Sequence, residues 1–168
     1  MKIVKYPHPA LRHAAKPVAS IDKDVQMVAG QMLELMYKAE GLGLAAPQVD
    51  FPFQLLVMNF EGDPEKKEME YVAINPVIVE SKGTLNDREG CLSFPGMQGM
   101  IPRPTDVTVK ATTLEGEPLE FRATGLLARA VQHEHDHLHG ILFIDRMEPA
   151  DREATASVVE KLLRRNSI

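Results

Sequence analysis

Residues 132–140 read QHEHDHLHG, with His133, His135, His137 and His139 at alternate positions. Imidazoles ligate metals and carry protons near neutral pH. On a strand all four would share one face. On a helix they split into two pairs, His133/His137 and His135/His139. The preceding LLARAVQ does not alternate and favours helix, so the spacing predicts a helix from about Gly125 to Gly140. On a wheel at about 100° per residue with His133 at zero, His137 falls near about 40° and Glu134 near about 100°. Leu126, Leu127, Ala130, Val131 and Leu138 share that apolar arc. His135 and His139 fall on the other side with Arg129, Gln132 and Asp136. The expectation is that His133, Glu134 and His137 point inward and that His135 and His139 face water. Two imidazoles one turn apart, about 6 Å along the axis, converge on one metal ion. A glutamate beside them handles protons, which is the HExxH arrangement.

A tetrahedral catalytic site takes a third protein ligand and keeps one position for water. No histidine follows His139, so Glu148, Glu153, Glu160 or the single cysteine, Cys91 in REGCLSFPG, must be considered. A lone cysteine is more often a small buried hydrophobe, and the residues alone leave the choice open. The stretch GLGLAAPQ, 41–48, lacks the spacing of a dinucleotide site and the lysine of a phosphate loop. Its small residues permit close approach of another backbone. Gln48 closes it with an amide donor and acceptor.

Certain elements must position these groups. Residues 1–19, with Pro7, Pro9 and Pro17, form an extended lead-in. Val25, Val28, Met32, Leu35, Met36 and Ala39 recur at helical spacing, predicting a helix from about Asp22 to Glu40, capped by Ser20 or Asp22 and ended by Gly41. FQLLVMN reads as a strand, EGDPEKKE as a charged loop and YVAINPVIVES as extended chain interrupted by Pro76. Alternation in DVTVKATT and the return in PLEFRAT predict a hairpin over 106–124. ILFIDRM is expected to be extended and ADREATASVVEKLLRR a final helix. Hairpins with three helices make an α+β fold. No repeat or linker breaks the pattern, so residues 1–168 are expected to form one domain.

Apolar residues make up 44% of the chain, which excludes a disordered composition. The formal net charge of −5 argues against binding DNA by bulk electrostatics. A lone cysteine closes no internal disulfide and fits a reducing compartment. No apolar run reaches the length of a signal core or a membrane span, so the expectation is a cytoplasmic protein that engages no membrane.

Three stretches together resemble the peptide deformylase family. Gly41-Leu42-Gly43-Leu44-Ala45-Ala46-Pro47-Gln48 is similar to its GxGxAAxQ, Glu89-Gly90-Cys91-Leu92-Ser93 to its EGCLS, and Gln132-His133-Glu134-His135-Asp136-His137 to its QHExDH. They occur in the family's order, and YPHPALR and GILFIDR extend the likeness over nearly the whole chain. The resemblance implies antiparallel sheets around a central helix bearing the HExxH residues, with further helices toward each terminus. It implies that Cys91, His133 and His137 bind the metal, that Glu134 is the acid/base residue, and that Gln48 and the Leu92 N–H face the oxyanion. The implied substrate is the N-formylmethionine of nascent polypeptides, cleaved to release formate. The backbone at 41–44 and a strand-like segment at 91–92 would admit only a hydrogen beside the carbonyl. By the same resemblance Gly41, Leu42, Gly43, Leu126 and Ala130 lie near the methionine side chain. Many bacterial members carry an arginine seven residues after the cysteine; here it is Gln98, which bears on peptide preference.

Ligand type and the affinity series of divalent ions favour zinc over iron(II). The resemblance implies iron(II), Fe(2+), as the native ion, with Zn(2+), Ni(2+) or Co(2+) able to replace it and Cys91 open to oxidation. It also suggests docking near the ribosomal exit tunnel through Lys161, Arg164 and Arg165. The plainer reading of those cations is a solvated helix C-terminus. Two rival functions follow from the residues. A zinc endopeptidase would use a glutamate ligand, and a non-catalytic formyl-peptide-binding module would bind without releasing formate.

Overall fold

The computed structural model describes residues 1–166. Helix α1 (Lys23–Lys38) precedes strands β1 (Gly43–Ala45), β2 (Leu55–Asn59) and β3 (Glu70–Lys82). A hairpin of β4 (Leu85–Gly90) and β5 (Gln98–Arg103) follows, then β6 (Asp106–Thr112) and β7 (Pro118–Thr124). The chain continues through α2 (Gly125–Leu138), α3 (Phe143–Arg146) and α4 (Pro149–Asn166). Five strands form one antiparallel sheet in the order β1-β2-β3-β6-β7, and β4 with β5 forms a second, two-stranded sheet. The fold is α+β.

The sequence of β2 shows why helices cover both faces of the large sheet. Its residues LLVMN are all buried, whereas a strand with one wet face would alternate. Leu56 and Met58 turn to one face, where Ala73, Val107, Val109, Phe121 and Ala123 meet Ala128, Val131 and Leu138 of α2. Leu55 and Val57 turn to the other, against Val25, Val28, Ala29, Met32 and Met36 of α1. A third cluster joins Val4, Leu11, Phe94, Met97 and Ile101 to Phe143 of α3, to Met147 just after it and to Leu162 of α4. Helix α1 is capped as expected, the Asp22 carboxylate accepting the Val25 N–H at 2.9 Å.

Pro76 sits inside β3 because the strand bulges there, the register shifting between Ile74 and Val77. Proline cannot donate to a ladder. Asn75 restores pairing through its side chain, accepting from the Val18 N–H at 2.8 Å and donating to the Val18 carbonyl at 2.9 Å.

Four local expectations are corrected. Helix α1 ends at Lys38 and Glu40, not Gly41, takes the left-handed conformation, with φ of 56°. ILFIDRM contains a helical turn, because Asp145 accepts the Leu142 N–H at 2.8 Å and caps it. Cys91 and Leu92 lie just past the end of β4, in a turn rather than a strand. The β4–β5 hairpin was not expected; β4 is LNDREG, with only Glu89 buried, so it shows no apolar alternation.

Candidate metal centre

Helix α2 carries His133, Glu134 and His137 inward, with relative exposures of 6%, 6% and 1%. The turn after β4 brings Cys91 to the same point. Its Sγ lies 3.4 Å from His137 Nε2, and that nitrogen lies 3.2 Å from His133 Nε2. The three donor atoms fall within 4.8 Å of one another, and they form the one such cluster among the described residues. Metal–nitrogen and metal–sulfur lengths typical of zinc give tetrahedral edges of about 3.3 Å between two nitrogens and about 3.5 Å between nitrogen and sulfur. The two edges that meet at His137 match these lengths, and the third pair of donors lies within 4.8 Å, so this donor set fits a divalent ion. Glu148, Glu153 and Glu160 are exposed and stand outside the cluster.

His133 Nδ1 lies 2.5 Å from Glu89 Oε1. A carboxylate there holds the proton on Nδ1, turns Nε2 toward the cluster and raises the basicity of the ring. Burial pushes the His133 pKa down, but Cys91 and Glu89 together raise it well above its ordinary value. Burial, and then the charge of His133, hold His137 well below its own.

The wheel misplaced one side of α2. Arg129, Gln132 and Asp136 are buried, not solvated, because the β4–β5 hairpin and α3 cover that face and supply partners. Arg103 of β5 forks onto Glu89 at 2.8 and 2.7 Å and reaches Asp136 at 2.8 Å. Arg129 donates to Glu89 at 3.1 Å and to the carbonyls of Ile101 and Leu85. Burial raises the Glu89 pKa, but the hydrogen bonds from Arg103 and His133 outweigh it and bring the carboxyl to about 2. Glu89 stood in the EGCLS stretch and Asp136 in QHExDH, yet neither received a role from sequence; Arg103 had no local signal.

Glu134 lies beside the cluster against β1. A Cβ on Gly43 would stand 2.8 Å from Glu134 Cγ, so only glycine fits that close approach. Burial raises the Glu134 pKa, and despite the opposing charge of His133 it reaches about 7. Its Oε2 is buried with no hydrogen-bond partner among the described residues.

Gln48 is held by the Ala45 N–H, which donates to its Oε1 at 2.9 Å. That fixes its amide nitrogen toward Ser93 Oγ at 3.3 Å and Cys91 Sγ at 3.8 Å. The Leu92 N–H has no acceptor among the described residues. The lead-in stitches these pieces together: Val4 N–H donates to the Gln48 carbonyl at 2.8 Å, Lys5 Nζ to the Leu92 carbonyl at 2.6 Å, and Tyr6 N–H to the Ser93 carbonyl at 3.0 Å. Sequence reasoning missed Lys5, since nothing local distinguishes it from a surface lysine.

A cavity of about 880 Å³ opens beside the cluster, lined among others by Gly41, Leu42, Gly43, Gln98, Leu126 and Ala130. Leu126 is 66% exposed there, so its side chain serves the cavity rather than the core the wheel assigned it to. His139 is exposed and His135 half-buried, with ring centroids 4.5 Å apart, away from the donor cluster.

The sequence model of the polypeptide deformylase family matches residues 1–153. The chain belongs to the polypeptide deformylase family. It is 43% identical over 166 residues to the peptide deformylase of Buchnera aphidicola subsp. Acyrthosiphon pisum, covering 99% of this chain and 94% of that protein. A crystal structure of the Plasmodium falciparum peptide deformylase superposes with a TM-score of 0.93 at 38% identity, over 99% of this chain and 97% of that one. An inhibitor complex of peptide deformylase 1B from Arabidopsis thaliana gives 0.94 at 36%, over 100% and 95%. The deformylase reaction is hydrolysis of the N-formyl group from the formylmethionine that begins new polypeptides, with release of formate. Deformylases are metal-dependent. No described helix is long and apolar enough to cross a membrane.

Proposed function

We propose that residues 1–168 act as one deformylase domain in which Cys91, His133 and His137 hold a single divalent metal and Glu134 moves the proton. Ser167 and Ile168 lie outside the described residues. The observation that carries this reading is the triangle of one sulfur and two imidazole nitrogens, with edges of 3.4 and 3.2 Å, beside an unpartnered buried carboxylate oxygen. When bound, the ion acts as a Lewis acid that makes water more acidic and draws electron density from the formyl carbonyl.

The chain's own groups do the rest. Glu134, with a pKa of about 7, takes a proton from the attacking water and returns it to the departing amine. The Gln48 amide and the Leu92 N–H receive the developing oxyanion, and losing one such donor typically costs about 10²–10³ in rate. Gly41, Leu42, Gly43, Leu126 and Ala130 line the cavity beside the cluster, which supports their forming the methionine slot. The donor set alone favours zinc over iron(II); membership of the deformylase family is what supports iron(II) as the native ion, with zinc, nickel or cobalt as substitutes. The reaction belongs in the cytoplasm, where nascent chains emerge. Lys161 and Arg165 are exposed on α4 and Arg164 is paired with Glu160 at 2.6 Å; docking beside the ribosomal exit rests on the family resemblance, since a solvated helix end shows the same exposure.

The test is formate release from formyl-Met-Ala. Glu134→Gln should keep one metal per chain and lose turnover by about 10²-fold or more. Undiminished turnover would reject the proton role. Formyl-peptide binding without formate release by the parent chain would favour the non-catalytic reading.

A further inference from the structure

One buried ion network leads from the metal centre to the surface. Arg146 of α3 forks onto Asp136, Nε to Oδ2 at 2.5 Å and Nη2 to Oδ1 at 2.7 Å. Asp136 Oδ2 also accepts from Arg103 Nη1 at 2.8 Å. The other two nitrogens of Arg103 are spent on Glu89, whose Oε1 holds His133. The side chains of Arg103, Glu89 and Asp136 are 3%, 6% and 7% exposed, whereas Arg146 is 41% exposed.

We infer that Arg146 is a positioning residue for His133, acting through Asp136, Arg103 and Glu89. The inference rests on the proposed metal centre. Without Arg146, the buried charge of Asp136 has Arg103 as its remaining ion-pair partner. A guanidinium is planar and its donors are rigidly spaced. If it turns toward Asp136, it loses alignment with Glu89. Arg129 does not substitute, because it holds Glu89 Oε2 while His133 is held by Oε1. A loosened Glu89 leaves the ring of His133 less firmly oriented. Partners of this kind commonly contribute 10- to 100-fold to metal affinity. If Arg146 served only to pin α3 onto α2, its loss would lower stability and leave metal affinity unchanged.

The experiment is a chelator competition for zinc on the folded enzyme, with the absorption spectrum of the cobalt(II) form. Arg146→Met should bind zinc about tenfold more weakly, with a shifted cobalt spectrum and a KM for formyl-Met-Ala within twofold of the parent. Arg146→Lys keeps the charge without the fork and should fall between parent and Arg146→Met. Zinc affinity of Arg146→Met within twofold of the parent, whatever its thermal midpoint, overturns the inference. Should Arg146→Met not fold, Arg146→Lys decides: a loss of threefold or more supports the inference and one within twofold overturns it. Equal zinc affinity in the parent and Cys91→Ser would overturn the metal centre itself, and the inference with it.

Discussion

Replacing Gly43 with alanine tests whether the backbone of β1 sets the place of Glu134. The added Cβ would lie 2.8 Å from Glu134 Cγ and 3.2 Å from its Oε1. Carbon atoms pack best at about 3.5–4.0 Å, so the two groups must separate by about 1 Å. The strand cannot readily retreat. Gly43 pairs with Met58 in register, the Leu42 carbonyl accepts the Asn59 N–H at 3.0 Å, and all of β1 and β2 is buried. Helix α2 is equally fixed, because His133 and Asp136 are tied into the arginine network. The displacement therefore falls on the Glu134 side chain. Misplacing a reacting group by about 1 Å costs about 10²-fold in rate. Gly43→Ala should lower kcat/KM for formyl-Met-Ala by about that factor, measured as formate release without oxygen, while metal content stays at one per chain. A kcat/KM within threefold of the parent in a metal-loaded, folded variant would refute the claim that this contact positions the acid/base group.

Gly140 ends α2 with φ of 69°, and a Cβ there would meet the Arg12 carbonyl at 2.5 Å. The left-handed conformation alone costs alanine about 1–2 kcal/mol, so Gly140→Ala should lower stability by about 2 kcal/mol or more in urea unfolding. Asp145 caps α3 and pairs with Arg12 at 2.5 Å. Burial raises its pKa, yet the bonds from Arg12 and from the Leu142 N–H bring it below the ordinary value. A depressed carboxyl stabilises the fold above its unfolded pKa, and that stabilisation is lost as pH falls through the folded value. Because both side chains are more than a third exposed, the Arg12 pair contributes under about 1 kcal/mol after solvent screening. The urea midpoint of Asp145→Asn should lie below the parent's at pH 7 and approach it at pH 3. A gap as wide at pH 3 would remove the ion pair as its cause.

The sequence carried the fold where one local pattern dominated. The 106–124 hairpin alternates cleanly, and α1 and α2 repeat at helical spacing. The β4–β5 hairpin escaped because its ladder is backbone pairing with little apolar burial, which leaves no periodic trace. The wheel for α2 placed His133, Glu134 and His137 inward, since apolar neighbours surround them. It sent Arg129, Gln132 and Asp136 toward water, because polarity on a wheel reports exposure only when nothing polar covers the helix. Here Arg103, Glu89 and Arg146 do, from segments distant in sequence. Cys91 had no spacing rule of its own; only the joint occurrence of three stretches pointed to it. Lys5 makes its contact through tertiary structure alone and left no legible signal, and Arg146 stood in GILFIDR without a role of its own.

The central claim is that one sulfur and two imidazole nitrogens of this chain grip a single metal ion. X-ray absorption at the metal edge of anaerobically prepared, formate-releasing enzyme tests it directly. The account predicts one sulfur scatterer, at about 2.3 Å if the ion is zinc, together with two imidazole nitrogens. A shell of nitrogen and oxygen alone would contradict it.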